Sequence, residues 1–325
     1  MYKSSLLLLC CCILQIKGFA QQFNTLDCEG QPHVRHEAGA VAVNGKLYLL
    51  GGRRIQAVDV FDPKTNVWDS LSKVPQEMHH FQPIVYKNRV YIVGAFTGGY
   101  PKESPIPHIW IYDPTTDQWS KGPEIPESRR RGGAACVLIQ DELYLIGGIQ
   151  LGHTSGTVAW VDRLNLETGE WKMLTDAPHR RDHVVAASDG KCIYVLGGRT
   201  TDYHEEGRFT AFFDTAQPAV DKLDLKSMKW ETMQNPLPVA SAGGTAIHAN
   251  NHIYYTGGES DQKEAHDEVQ VLDPKSDQWT IVAKLNQGRH GTSLVCIANS
   301  LYIASGSGNR GGGPELSSIE SAQLP

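Results

Sequence analysis

The sequence predicts an all-β protein, a propeller of six four-stranded antiparallel blades, and two interlocked residue series carry that prediction. In the first series a Tyr stands in a short apolar strand running into glycine: Tyr48 before Gly51-Gly52, Tyr91 before Gly94, Tyr144 before Gly147-Gly148, Tyr194 before Gly197-Gly198, Tyr254 before Gly257-Gly258 and Tyr302 before Gly306. In the second, Trp68, Trp119, Trp171, Trp230 and Trp279 lie six positions after Asp62, Asp113, Asn165, Asp224 and Asp273. The Tyr spacings of 43, 53, 50, 60 and 48 residues define a repeated unit. Such a unit cannot bury its faces alone, so its copies must pack against one another into a ring.

The third unit shows how each strand is specified. Residues 133–140 are small and apolar, suited to an innermost strand crowded at the centre of a ring. Glu142 to Ile146 makes a second strand that ends at Gly147-Gly148, where the backbone needs positive φ or close approach. Residues 158–166 give a third strand, and the turn Glu167-Thr168-Gly169 leads to Trp171 on a fourth. The turns beginning at Asp62-Pro63, Asp113-Pro114 and Asp273-Pro274 combine a carboxylate that bonds the local backbone with a ring that fixes φ. Each delivers its Trp to the same place, between adjacent blades. The sixth unit stops without a Trp strand, and Phe23, Leu26, Pro32 and Arg35 repeat the order of Trp171, Leu174, Pro178 and Arg181. Residues 22–26 are therefore expected to supply the outer strand of the last blade. The units run 33–78, 79–128, 129–178, 179–238, 239–286, and 287–325 closed by 21–27, with five blades as the competing count.

These motifs, over residues 22–325, resemble the kelch-repeat propellers. Two secreted groups of that family frame the expectations: galactose oxidase-like enzymes, whose crosslinked Tyr–Cys copper site has no counterpart here, and N-acetylneuraminate epimerase-like enzymes, six-bladed and similar in size. Other kelch propellers only bind protein or glycan.

Residues 1–20 carry Lys3, an apolar run and Gly18-Phe19-Ala20 ahead of Gln21, the pattern of a cleaved secretory signal peptide. The expected location is therefore secreted or periplasmic. The formal charge of −6, more negative still without Lys3 and Lys17, argues against nucleic acid, whose affinity comes mainly from neutralised phosphates. No later apolar run is long enough to span a membrane as a helix. Cys28, Cys136, Cys192 and Cys296 remain after cleavage; the last three fall in strands of different blades, which favours free thiols over disulfides.

Thirteen residues before each Tyr stand Arg35, Met78, Arg131, Arg181, Ser241 and Arg289, followed by His36, His79, Gly132, Asp182, Ala242 and His290. Both columns precede an innermost strand, so the expected site is a channel mouth where four guanidiniums favour an anion, or else a set of Arg residues tying loops together. Long loops at 96–108, 149–157, 199–218, 259–267 and 307–316 open on the same face and bring Arg199 and Arg310. The function expected is binding of a glycan, an acidic sugar or a protein at that face, by a monomer without cofactor. The alternative, implied by the epimerase resemblance, is sialic-acid mutarotation, with Arg35, Arg131, Arg181 and Arg289 as clamp and His36, His290 or Asp182 moving protons. No metal set is expected: His79 and His80 are adjacent and would point oppositely in a strand, and no third ligand is fixed for His179 and His183.

Overall fold

A computed structural model describes residues 22–325, so the expected signal segment lies outside the described residues. Six four-stranded antiparallel sheets follow one another around a channel. Blade one runs Ala38–Val43, Lys46–Gly51, Ala57–Asp62 and Val67–Lys73. Blade three, typical of the rest, runs Ala135–Ile139, Glu142–Ile146, Val161–Asn165 and Trp171–Met173. In blade six Leu294–Ile297, Ser300–Ala304 and Ile319–Gln323 are completed by Asn24–Thr25, which pairs Asn24 with Ser321 and Thr25 with Glu320. The ring is thus closed by the N-terminal strand, as the Phe23 register predicts.

Six apolar clusters fill the seams between blades, and the Trp series lands in five of them. Trp171 packs among Tyr91, Ile109 and Leu145, and Trp230 among Val137, Tyr144 and Val195. Trp171 and Trp230 also donate their indole N–H to the carbonyls of Glu124 and Thr175 on the preceding blade. In the remaining seam, between blades five and six, Phe23 sits with Tyr254, Leu285 and Leu324 and is 1% exposed. The Asp or Asn that opens each of these five turns caps it as expected: Asp62 accepts from the Lys64 N–H at 2.9 Å, Asn165 from the Thr168 N–H at 2.9 Å and Asp273 from the Lys275 N–H at 2.9 Å.

The glycine pairs have a specific mechanical task. The second glycine donates its N–H to a carbonyl of the next blade: Gly52 to Met78, Gly148 to Arg181, Gly198 to Ser241, Gly258 to Arg289 and Gly306 to Arg35. A Cβ on Gly147 or Gly257 would lie 2.5 or 2.3 Å from the same carbonyl of Arg181 or Arg289, so only glycine permits that approach. Among the described residues all four cysteines are free thiols. No helix of the described residues is long and apolar enough to cross a membrane.

Candidate functional site

The four arginines of the repeat column are not at the channel mouth, which corrects the expected clamp. Arg35, Arg131, Arg181 and Arg289 are 0–1% exposed and lie inside their own blades. Each guanidinium meets a buried carboxylate on the third strand: Asp59 at 2.5 Å, Asp162 at 2.7 Å, Asp221 at 2.5 Å, and Glu320. Each also donates to the carbonyl that ends the second strand, Gly51, Gly147, Gly197 or Ser305. Register explains the two exceptions. The third-strand position is Trp110 in the blade that has Met78, and Gln270 in the blade that has Ser241. Arg and carboxylate are present together or absent together, so the column is a blade-internal ion pair satisfying backbone carbonyls, and no anion can reach it.

The mouth is built two positions after the arginine column. Glu37, His80, Gly133, His183, Gly243 and Gly291 all have left-handed backbones, with φ of 53°, 57°, 61°, 48°, 64° and 66°. Backbone hydrogen bonds link these turns from blade to blade: His80 N–H to Glu37, Gly133 to His80, Gly243 to His183, Gly291 to Gly243 and Ala38 to Gly291. Three blades use glycine, which takes this conformation freely. The other three hold Glu37, His80 and His183 there, each at a backbone cost of about 1 kcal/mol or more. Below this ring the channel is a 240 Å³ cavity walled by first strands, and Gln82 spans it, bonding the N–H groups of Cys136 and Ala186.

Above the ring a second cavity of 430 Å³ opens among the long loops. Its wall includes Glu37 and His80 from the ring, His36 just before Glu37, Tyr100 and His153 from the loops, and Arg199, Phe212 and Phe213 from the blade-four loop. Arg53, Arg199 and Glu259 occupy one repeat position, directly after a Gly-Gly pair. There the chain forms single bridges back to the mouth, Arg199 with Asp182 and Glu259 with Ala242. That position was the readable signal for Arg53 and Glu259, which the sequence expectation omits; only Arg199 was included.

The ionisable groups of the mouth are paired rather than presented as a cationic ring. Arg199 ion-pairs with Glu259 and lies 4.7 Å above the Phe212 ring. Arg53 meets Glu103 at 2.8 Å, and Glu103 also lies 3.0 Å from His153 Nδ1. Burial works against ionising Glu259, but the His290 and Arg199 charges outweigh it and hold its carboxyl at about 2. Burial likewise opposes charge on His290, yet Glu259 and Glu37 lift it to about 9. Burial pushes His79 down to about 4 and His80 well below the ordinary histidine value.

The remaining expected residues divide. His36 does line the cavity, with Nδ1 2.7 Å from Glu315. His290 lies beneath it, wholly buried, and Nε2–H donates to the carbonyls of Asn309 and Gly311. Asp182 is equally inaccessible and accepts from Thr157 Oγ1, Thr201 Oγ1 and His183 Nδ1. Arg310 does not line the cavity; it donates to the Asp261 carbonyl and rests over Phe213. His79 and His80 do not diverge, because His80 is in the left-handed turn and not in a strand; their rings are 4.8 Å apart.

The coupled charges set a pH window for the mouth. Glu259, held below its ordinary 4.5, stabilises the fold fully above 4.5 and loses that contribution as pH falls toward about 2. His290, raised above its ordinary 6.5, stabilises fully below 6.5 and loses that contribution as pH rises toward about 9. Denaturation midpoints measured across that upper range should fall for the wild type and flatten for His290→Asn; equal slopes in both would show that His290 does not carry the charge.

The comparisons agree with this architecture. A profile of the KLHDC2/KLHL20/DRC7 Kelch-repeats domain matches residues 97–307, and one of the Kelch motif matches residues 35–75. Kelch-like protein terF of Aspergillus terreus is 26% identical over 300 residues, covering 85% of this chain and 62% of the fungal protein. Kelch-like protein 23 of Homo sapiens is 24% identical over 274 residues, covering 82% and 45%. The chain therefore spans about half to two-thirds of the length of these relatives. The solved structure of YjhT superposes with a TM-score of 0.73 at 17% identity, covering 90% of this chain and 95% of that one, which is a likeness of fold. With the motif series, the closed ring of six blades and a family profile over most of its length in agreement, the chain belongs to the kelch-repeat family.

Proposed function

We propose that this protein binds a small, polar, carbohydrate-like molecule in the cavity at the loop-bearing end of its channel. The observation that carries the reading is the cavity itself. At 430 Å³ it is the size of a small-molecule site, and its wall combines aromatic faces with convergent polar groups. Tyr100, Phe212 and Phe213 offer surfaces for the apolar face of a sugar ring. Glu37, Glu259, Arg53, Arg199 and His36 offer acceptors and donors for hydroxyls. Because Arg53 and Arg199 are each matched by a carboxylate, neutral sugars are as well provided for as acidic ones. Anomer exchange is the enzymatic form of this reading, with Glu37 and His36 as the groups at the wall able to move a proton.

A second reading rests on the rim. Tyr100, Leu151, Tyr203 and Phe209 are 51%, 57%, 42% and 39% exposed on three neighbouring loops, a set of apolar side chains a protein partner would cover. The kelch-like relatives make that reading natural, and it is compatible with a ligand beneath.

Calorimetric titration of neutral monosaccharides, uronic acids and sialic acid, with NMR exchange rates between anomers, tests the first reading. Tyr100→Ala should weaken binding about tenfold, the scale of one lost aromatic contact, with little loss of stability because Tyr100 is half exposed. No heat with any of these sugars would move the function to the rim, and unchanged affinity in Tyr100→Ala would overturn the stacking role given to that ring.

A further inference from the structure

We propose that His80, His153 and His183 form a binding site for one first-row divalent transition cation, of which Zn²⁺ best suits three imidazoles, with its open coordination position toward the cavity. The site goes beyond the carbohydrate reading and does not depend on it. One ring nitrogen from each histidine lies within 4.8 Å of the others, and the ring centroids are 4.8–5.3 Å apart. All three side chains are buried, at 5%, 5% and 6% residue exposure. They come from three blades: His80 and His183 from the left-handed ring, and His153 from the 149–157 loop.

Hydrogen bonding fixes which nitrogen of each imidazole is free. Asp182 Oδ1 lies 2.6 Å from His183 Nδ1, so that nitrogen carries the proton and Nε2 keeps its lone pair. Glu103 Oε1 lies 3.0 Å from His153 Nδ1, out of line for an ideal hydrogen bond but close enough to favour the proton there. For His80 the logic runs through His79. The Gly98 carbonyl only accepts, so His79 Nε2 donates to it, at 3.1 Å. With that proton on Nε2, His79 Nδ1 accepts from His80 Nδ1 at 2.6 Å, which turns His80 Nε2 toward the other two histidines.

One imidazole nitrogen from each histidine is therefore left to face the other two. His183 Nε2 has no hydrogen-bond partner among the described residues. His80 Nε2 faces Glu37 Oε2 at 3.4 Å, an acceptor against an acceptor. Packed only as core, His183 would leave a buried acceptor unsatisfied, at roughly 1–3 kcal/mol. A cation satisfies it together with the nitrogens of His80 and His153. Bonds of about 2.0–2.1 Å in tetrahedral geometry put imidazole nitrogens ~3.3 Å apart, which side-chain rotation of about 1 Å would reach. The carboxylates behind His153 and His183 are the outer-shell partners that metal-bound histidines use to hold their orientation. Left-handed backbone at His80 and His183, where other blades have glycine, shows that side chains are retained there against a conformational cost. Three protein ligands beside an open cavity are the arrangement in which a metal takes water or a ligand oxygen as its fourth partner.

The test uses the full chain stripped with a chelator and titrated with Zn²⁺ against a chromophoric competitor, with no sugar present. One cation per chain is expected. His153→Ala should weaken Zn²⁺ at least a hundredfold, and Asp182→Asn, which touches the metal only through His183, by about 10–100-fold. His108→Ala, on the third strand of blade two, should bind as the wild type does. If a variant fails to fold, Co²⁺ added to the wild type decides: four- or five-coordinate visible bands support the site, and the spectrum of the hydrated ion overturns it. Absence of stoichiometric Zn²⁺, or wild-type affinity in folded His153→Ala, overturns it equally. Because the titration contains no sugar, failure here leaves the carbohydrate reading standing, and failure of sugar binding leaves the metal site standing.

Discussion

Arg181→Ala should cost about 3–5 kcal/mol of stability, the range for breaking a buried ion pair from one side. It should not act primarily on ligand affinity. The guanidinium lies 2.5 Å from Asp221, which is 0% exposed, and it also serves the carbonyls of Gly197 and Ala219. Removing it leaves a carboxylate inside blade four with only the half-exposed His179, at 2.9 Å, and Thr232 Oγ1, at 2.8 Å, as partners. The chain itself supplies the control, because blade two does without the pair by placing Met78 and Trp110 at the two positions. Arg181→Met combined with Asp221→Leu should therefore recover most of the loss, as replacing a buried pair with apolar groups often does. Denaturant unfolding of the two variants reads both effects. A stable Arg181→Ala protein that has lost affinity for an acidic sugar would return the arginine column to the binding site.

How much of this was legible in the sequence depended on whether a feature is periodic. The Tyr–Gly–Gly and Asp–Trp series repeat, so strand order, seams and closure could be read without coordinates; even Phe23 was visible as a stand-in for Trp. The arginine column was equally visible, but its direction was not. Whether a side chain before an innermost strand turns into the blade or toward the axis is decided by the carboxylate across the sheet, and Asp59, Asp162, Asp221 and Glu320 sit at irregular sequence distances from their partners. The column two positions after the arginines was the one to read. Glu37, His80 and His183 alternate there with Gly133, Gly243 and Gly291, and chemistry-bearing residues in a glycine position signal a strained backbone held for its side chain. His153 had no such signal. It lies in a loop outside the repeat columns, and only the fold brings its ring beside His80 and His183.

Removal of residues 22–26 should be the most damaging small deletion in the chain. Asn24–Thr25 covers the outer edge of Ile319–Gln323, and its loss exposes a row of unpaired backbone groups of the kind that recruits other chains. The greater loss comes from Phe23. In five seams a Trp of the fourth strand fills the space against the previous blade, and here one Phe fills it, in contact with a cluster containing Tyr254, Val269, Leu285 and Leu324. Phe23→Ala alone should cost about 3–5 kcal/mol, the usual range for truncating a buried Phe, whereas Asn24→Ala on the exposed strand should cost little. The deletion adds an open edge to that loss, so its thermal midpoint should fall further than that of Phe23→Ala, and light scattering should show oligomers. Phe23→Trp is the discriminating variant: if the pocket is equivalent to the other seams, the larger ring should be tolerated better than Ala. A truncated protein that stays monomeric with an unchanged midpoint would mean that blade six stands on three strands, and that the ring does not need its N-terminal closure.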